Sequence, residues 1–447
     1  MLTIRLPEAV KYIIQTIEDA GFEAYAVGGC VRDSILDREP NDWDITTSAA
    51  PEEVKRLFRH TVDTGLKHGT VTVLIKKACY EVTTYRIDGE YEDGRHPKEV
   101  SFTSQLSEDL RRRDFTINAM AYNDSQGLVD LFGGQEDLKD GIIRCVGDAR
   151  ERFTEDALRI MRAVRFSAQL GYEIEEETAN AIKELAPTLN RISVERIQVE
   201  LVKLLVSPHP EYIFKMYEMG LTKVFLPEFD IMMDTPQNNP HHLYSVGMHT
   251  VKALQASPVD RMIRIALLLH DIGKPATKTT DERGIDHFNG HPNLSAEMSR
   301  KVLKRLRFDN DTIDTVSLLV LYHDYGNVVN ATPKFTRQLI CKVGKENFLS
   351  LLEVKCADVC AQSDYKKEEK LSKLTDLKKN YEEVLVKDMC VNLKDLAVTG
   401  SDLIQAGMKP GKELGVALNR LLEVVLEEPD QNSKEVLMEY IKRWGYI

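Results

Sequence analysis

No run of apolar residues in this chain approaches the roughly 20 needed to cross a bilayer as a helix. The longest, Ile265-Ala266-Leu267-Leu268-Leu269 and its neighbours, is cut by His270-Asp271. A signal-peptide core is missing as well: the first residues carry Arg5, Glu8 and Lys11, and nothing predicts export. Cysteine spacing shows no pairing. Seven cysteines, an odd number, fit reduced thiols in a cytoplasmic protein. Cys356-x-x-x-Cys360, without partner cysteines, reads as packing rather than zinc. An excess of positive charge is also lacking. A net charge of −12 excludes a protein that coats nucleic acid nonspecifically. Arg111-Arg112-Arg113 and Arg159/Arg162/Arg165 still leave room for a local basic groove. Internal repeats and low-complexity tracts are absent.

What is present is an ordinary globular composition, 43% hydrophobic and 29% charged, in 447 residues, enough for more than one domain. Residues 1–22 read as an amphipathic helix with Val10, Ile13, Ile14 and Ile17 on one face. Ala24-Tyr25-Ala26-Val27 reads as a buried strand, and Gly28-Gly29 as a tight turn that lets backbone approach a ligand. A helix starting at Val31 offers unpaired N–H groups to a phosphate, and Arg32 adds a charged fork. In an extended segment Asp42 and Asp44, two residues apart, point the same way and can hold one hard cation. Gly-Gly turns and Asp-x-Asp also occur in solvated loops, so this stretch alone leaves both readings open.

Further on, residues 70–76 and 79–86 read as a hairpin turning at Lys76-Lys77-Ala78, with Glu81 facing the aspartates. Residues 88–104, rich in turn formers, read as a mobile loop. Residues 106–122 read as helix, and 142–146 as a short strand. From Thr154 onward almost every periodic segment reads as helix. Thr154 itself predicts an N-cap, followed by a core face of Ala157, Ile160, Met161, Val164 and Ala168. The opposite face carries Glu155, Arg159 and Arg162, flanked by Asp156 and Arg165. Taken alone, that face also reads as a solvated surface laced by Glu155–Arg159 and Asp156–Arg159 pairs.

Together the motifs carry a resemblance. Gly28-Gly29-x-Val-Arg32-Asp33, Asp42-x-Asp44, Glu81, Arg112-Arg113-Asp114-Phe-Thr-Ile-Asn118 and Asp130-x-x-Gly133-Gly134 are followed by Glu155-Asp156-x-x-Arg159-x-x-Arg162 and Glu195-Arg196-Ile. In this order they resemble the motifs of class II CCA-adding enzymes, the tRNA nucleotidyltransferases related to bacterial poly(A) polymerase. The match is dense over residues 20–205 and resumes in the glycine-rich segment from Val398. It implies an α+β fold: a DNA polymerase beta-type nucleotidyltransferase head, a mixed sheet with helices, then an all-α neck, body and tail. It implies that Asp42 and Asp44 are catalytic and bind Mg2+, with Glu81 as the third catalytic carboxylate. Gly28, Gly29, Arg32, Arg113, Asp114, Asn118, Asp156, Arg159, Arg162 and Arg165 match nucleotide-binding positions. Asp156 and Arg159 would accept from the exocyclic amine and donate to the ring nitrogen shared by cytosine and adenine. Uracil and guanine would leave both groups mispaired. The 88–104 segment resembles the family's flexible loop, which favours full CCA or A-only addition over CC-only addition.

A second ordered set, His249, His270-Asp271, His291, His323 and Asp358, looks like the HD metal-dependent phosphohydrolase superfamily. Imidazole and carboxylate ligands suit nickel, manganese, magnesium or iron. His242 and His287 fit no ligand position. The expected layout is a head at 1–150, a neck at 151–235, an HD domain at 236–370 and a tRNA-binding tail at 371–447. The leading expectation is addition of C, C and A from CTP and ATP to the tRNA acceptor arm. The alternatives are A-only addition, poly(A) synthesis, or an HD phosphohydrolase with an RNA-binding head. No membrane partner is expected, and the sequence leaves the oligomeric state open.

Overall fold

The computed structural model describes residues 3–89, 100–326, 331–387 and 389–447. They divide into two compact units, Met1–Pro227 and Glu228–Ile447.

The first unit is built on a seven-stranded mixed sheet. In chain order its strands are β1 (Ala24–Val27), β2 (Ile45–Thr47), β3 (Thr61–Gly65), β4 (Thr70–Ile75), β5 (Ala78–Thr84), β6 (Met120–Asn123) and β7 (Gly127–Asp130). Across the sheet they run β3-β4-β5-β2-β1-β6-β7. All pairs are antiparallel except β2 with β5, where Ile45 lies beside Val82. That parallel register carries Asp44, one residue before β2, to the level of Glu81. The aspartates therefore sit in extended chain leading into the strand, not within it.

Helix α1 (Glu8–Asp19) buries Val10, Ile13, Ile14 and Ile17, the predicted face. The β4–β5 turn falls at Lys76 and Lys77, both in left-handed conformation (φ 47° and 71°), a geometry whose twist suits a two-residue hairpin. Helix α2 (Gly29–Ile35) follows β1.

Three expectations need correction. Residues 106–122 are not one helix: α3 (Leu106–Arg111) ends early, and Met120–Asn123 is the strand β6. The ends of the 88–104 segment form a short ladder, Arg86–Asp88 with Val100–Phe102, while residues 90–99 lie outside the described residues. Thr154 caps nothing. It lies in α4 (Ala149–Glu155), which Asp148 caps by accepting from Arg150 N and Glu151 N. A break at Asp156 then separates α4 from α5 (Leu158–Leu170), whose first amide donates to the Asp156 carboxylate at 3.0 Å. The core face of α5 is as expected, with Ile160, Met161, Val164 and Ala168 buried. Helix α6 (Val194–Leu205) packs against it.

The second unit is helical apart from one two-residue ladder among the described residues. Its functional helices are α7 (Val246–Ala256), α8 (Arg261–Leu269), α9 (His291–Arg305), α10 (Asn310–Tyr322), α11 (Lys345–Ala361) and α12 (Lys367–Val386). No helix of the described residues is long and apolar enough to cross a membrane.

Candidate functional site

At the end of β1 the chain turns through Gly28 (φ 82°), whose amide donates to Met120 O at 3.1 Å. The positive φ calls for glycine, and a Cβ there would also crowd Arg113 Nη1 at 3.0 Å, so that the arginine would have to yield. Gly29 is different. It opens α2 with ordinary helical backbone, and a Cβ on it would meet only Arg32 Nη2, at 3.7 Å. The predicted glycine pair therefore has one indispensable member.

Beyond that turn lies a chain of charged groups. Arg32 donates through Nε to Asp33 (2.8 Å) and through Nη1 to Asn118 Oδ1 (2.7 Å). Asn118 Nδ2 donates to Asp114 Oδ1 (3.2 Å), and Asp114 Oδ2 accepts a fork from Arg162 (2.8 and 2.6 Å). Burial alone would raise the Asp114 carboxyl, but Arg162, Arg159 and Asn118 outweigh it and hold it at about 2. The ring of Phe166 supports three guanidiniums, those of Arg32, Arg162 and Arg165, at 5.1, 5.2 and 3.5 Å from its centroid. Arg113 and Arg112 are held by Asp109, which is fully buried and also accepts from Thr46 Oγ1 on β2. Asp109 thereby ties the arginine pair to the strand that follows Asp44.

The three predicted catalytic carboxylates lie at one end of this sheet and reach solvent. The Asp44 carboxyl is pushed up to about 6, first by desolvation, then by the like charges of Asp42 and Glu81, with Arg113 opposing. Mutual repulsion of this kind is what a divalent cation relieves, and an all-oxygen donor set fits Mg2+. The fit is open: the three carboxylates are coupled by charge without closing into a trio of atoms within 4.8 Å.

Three predicted base-reading or nucleotide-facing residues, Asp156, Arg159 and Arg165, are engaged within the protein. Asp156 accepts from Arg196 Nη1 (3.3 Å) and Nη2 (2.7 Å), while Arg159 donates to Glu155 (2.6 Å) and to the Arg112 carbonyl (2.9 Å). Of the two pairs expected on a solvated face, Glu155–Arg159 forms, and Asp156 is instead oriented by Arg196 on α6. Arg165 is withdrawn from the nucleotide-facing set. It is 5% exposed, donates to Glu200 (2.8 Å), itself 3% exposed, and to Gln169 (2.7 Å). Burial lowers its pKa to about 10 despite Glu200. Phe166, Asp109 and Glu200 carry no motif signal of their own; Arg196 lies in the Glu195-Arg196-Ile motif, which does not say that it pairs with Asp156.

The second unit gathers all six predicted His/Asp ligands. They fall into two triads, His249/His270/Asp358 and Asp271/His291/His323. His249 projects from α7 and Asp358 from α11; His270 and His323 end α8 and α10; His291 begins α9. Each imidazole is anchored by Nδ1 to a carbonyl: His270 to Leu267 (2.6 Å), His323 to Val320 (2.6 Å), His291 to Phe288 (2.8 Å) and His249 to Ala361 (3.4 Å). That leaves every Nε2 facing inward as a ligand atom. Lys355, buried, donates to the carbonyls of His323 (2.6 Å) and Tyr325 (3.1 Å).

Asp271 lies between the triads. Its Oδ2 is 3.2 and 3.8 Å from His270 and His249 Nε2; its Oδ1 is 3.4 and 3.6 Å from His291 and His323 Nε2. Such separations suit atoms sharing ions with bonds of roughly 2 Å. His270 Nε2 and both Asp271 oxygens are buried without a hydrogen-bond partner, although Lys274 Nζ lies 2.7 Å from Oδ2. The imidazole-rich set is one that a transition metal would fit. Burial holds His291 down at about 4, hence neutral at physiological pH. Burial also opposes charge on His270, but Asp271 and Asp358 outweigh it and raise its pKa.

Comparison with known proteins matches this architecture. The "Poly A polymerase head domain" family model covers residues 24–144, the "Probable RNA and SrmB- binding site of polymerase A" model 171–233, and a tRNA nucleotidyltransferase domain 2 model 278–441. The CCA-adding enzyme of Lactobacillus helveticus is 37% identical over 433 residues, 96% of this chain and 95% of that protein. That of Ligilactobacillus salivarius is 36% identical over 456 residues, 99% and 98% of the two chains. The crystal structure of Bacillus stearothermophilus CCA-adding enzyme in complex with CTP superposes with a TM-score of 0.74 at 32% identity, covering 98% of each chain. The Thermotoga maritima CCA-adding enzyme complexed with tRNA shares the fold (TM-score 0.61, 23% identity, 98% and 97% covered). With relatives above 30% identity along nearly its whole length, this chain belongs to the CCA-adding enzymes, a family of tRNA nucleotidyltransferases.

Proposed function

We propose that the first unit adds C, C and A in turn to tRNA 3′ ends from CTP and ATP without a nucleic-acid template, releasing pyrophosphate. The observation that carries this is the convergence of Asp44 and Glu81, in parallel register, with the Gly28 turn and the Arg32–Asn118–Asp114–Arg162 chain. Asp42, Asp44 and Glu81 would hold Mg2+, which when bound supplies Lewis-acid stabilisation to the attacking hydroxyl and the leaving pyrophosphate. Arg32 and Arg113 flank the turn and suit the triphosphate, and Gly28 keeps side-chain bulk away from it. Asp156, steered by Arg196, accepts from the exocyclic amine of cytosine or adenine, and Arg159 donates to the adjacent ring nitrogen. The tRNA is read through acceptor-arm shape rather than sequence, which lets one enzyme serve every tRNA. Seven free thiols support a cytoplasmic setting.

The test uses tRNAs ending before, between and after the two cytidines, with labelled CTP or ATP singly and together. CTP incorporation on the shortest tRNA supports the reading. AMP incorporation alone would instead favour A-only addition or poly(A) synthesis.

The second unit supports a second reading, an HD phosphohydrolase. The finer layout we propose is head 1–150, neck 151–235, HD domain 236–370 and tail 371–447. The specific observation is Asp271, whose Oδ2 lies nearest His270 and whose Oδ1 lies nearest His291, so that its carboxylate touches both clusters. His249, His270 and Asp358 would hold one ion and His291 and His323 the other; when bound, the ions supply water activation for attack on a phosphate ester. Hydrolysis of p-nitrophenyl phosphate or a 2′,3′-cyclic nucleotide with nickel, manganese, iron or magnesium, together with bound metal by elemental analysis, supports this. Absence of both turnover and bound metal overturns it.

A further inference from the structure

The cavity that opens onto the His/Asp ligands has a volume of about 740 Å³, and five lysines line it: Lys274, Lys355, Lys366, Lys370 and Lys373. Two of them are accounted for. Lys274 lies against Asp271, and Lys355 braces the carbonyls after His323. The other three, Lys366, Lys370 and Lys373, stand at the N-cap and in the first turns of α12.

Their positions on α12 are telling. The buried stripe of this helix is Leu374, Leu377, Tyr381 and Val384, at helical spacing. Carried back toward the helix start, the same stripe meets Lys373 and Lys370; Lys366, exposed and left-handed at the N-cap, stands just beyond it. A solvated lysine face would lie opposite the core stripe, as Lys379 does; it and Lys378, on the flank of the stripe, are both exposed. Lys370 and Lys373 are instead half-buried on the core-facing side, where the helix runs past the cavity. Lysine at such positions is costly unless the space it faces holds water and an anion. Local carboxylates answer only part of this charge. Lys373 pairs with Glu369 at 2.5 Å, an exposed contact of little energetic weight, and Lys370 donates to Gln362. Lys370 Nζ is also 3.2 Å from Nδ1 of His241, a ring on the cavity wall in edge contact with Tyr365.

We propose that Lys366, Lys370 and Lys373 form a phosphate track leading to the metal ligands, so that this cavity selects the phosphorylated end of a nucleotide strand over a small phosphate monoester. The proposal rests on the phosphohydrolase reading and adds its substrate class. The seven steps from the N-cap Lys366 to Lys373 span about 10 Å, longer than one phosphoryl group. One end of the track can therefore hold an upstream phosphodiester while the terminal phosphate sits at the ligands. Lysines suit this because a compact charge on a flexible stem follows a mobile backbone without demanding one geometry. His241 and Tyr365 offer ring faces of the kind on which bases stack.

The probe is the dinucleotide UpUp, which carries one internal phosphodiester and a terminal 3′-phosphate, compared with p-nitrophenyl phosphate on the full chain loaded with manganese. The expected result is a kcat/KM ratio of UpUp over p-nitrophenyl phosphate above about tenfold, falling at least tenfold in Lys366→Gln/Lys373→Gln and shrinking with added salt. A ratio unaltered by the double variant overturns the proposal. A second readout needs no turnover. Amine acetylation followed by mass spectrometry should show UpUp slowing modification of Lys366 and Lys373 several-fold while Lys378 and Lys379 react as before. Equal protection of all four, or of none, also overturns the track. Hydrolysis of both probes without preference defeats the track alone. Protection without hydrolysis under any metal supports the strand site and defeats the phosphohydrolase reading.

Discussion

Asp42, Asp44 and Glu81 in the first unit all reach solvent, whereas five of the six His/Asp ligands in the second are buried. The contrast extends to their surroundings. Around the exposed carboxylates the arginines are already paired within the protein, by Asp109, Asp114 and Glu200. Around the buried ligands, His270 Nε2 and Asp271 Oδ1 lack hydrogen-bond partners, and Asp271 Oδ2 lies against Lys274. A set that water can solvate tolerates the coming and going of ions with each nucleotide. A buried set has less access to water, so any ion it held would add to the stability of the fold. The two sets therefore predict different costs of metal removal.

The sharpest way to break this comparison is at Asp44. Asp44→Ala should lower nucleotide incorporation by roughly 10³-fold or more, since it removes a metal ligand from the reacting centre. Its unfolding midpoint should barely move, as the exposed carboxylate repels its neighbours without an ion. A large loss of stability would mean that the ion is structural there too.

Next in size is the support beneath the arginines. Glu200→Ala leaves Arg165 charged, buried and unpaired, and should cost about 3–5 kcal/mol by denaturant titration. A cost under 1 kcal/mol would show that Arg165 escapes to solvent and that α5 is held otherwise.

Metal removal should separate the units. Chelation should lower the stability of the second unit by about 3 kcal/mol, the value for an ion present at 100 times its Kd. Asp271→Asn should abolish that metal dependence while leaving nucleotide transfer within twofold. Equal sensitivity of transfer to both manipulations would contradict independent sites.

Smaller effects concern selection and pH. Arg196→Ala frees Asp156 and should raise UTP misincorporation by about tenfold, roughly 1.4 kcal/mol, measured as the ratio of kcat/KM values. The Asp44 carboxyl, raised to about 6, is protonated below that pH and is then a poor ligand. Transfer at limiting Mg2+ should therefore fall as pH drops from 7.5 through 6, and excess Mg2+ should restore part of it by competing with the proton. A profile flat to pH 5 would contradict the shared charge of Asp42, Asp44 and Glu81.

Much of both sites was legible because their chemistry depends on residue types at fixed spacing. The glycine turn, the aspartate pair, the hairpin that brings Glu81 alongside, and six scattered ligands in family order are all of this kind. What stayed hidden depends on distance in space. Nothing local marks Arg196 as the partner of Asp156, or Glu200 as that of Arg165, thirty-five or more residues away along the chain. Residues 119–123, Ala-Met-Ala-Tyr-Asn, favour helix by propensity, yet the slot between β1 and β7 makes them strand. Thr154 resembled a cap, but Asp148, six residues earlier, starts the helix, and the true break falls at Asp156. That break turns the Asp156 carboxylate to the Leu158 amide and to Arg196.

The most direct test supplies a tRNA lacking all three terminal nucleotides with CTP, ATP, GTP and UTP together and sequences the 3′ ends. The expected product is C, C, A and then arrest. A product ending in A alone, a run of A, or an unextended tRNA would contradict the assignment of CCA addition to the first unit.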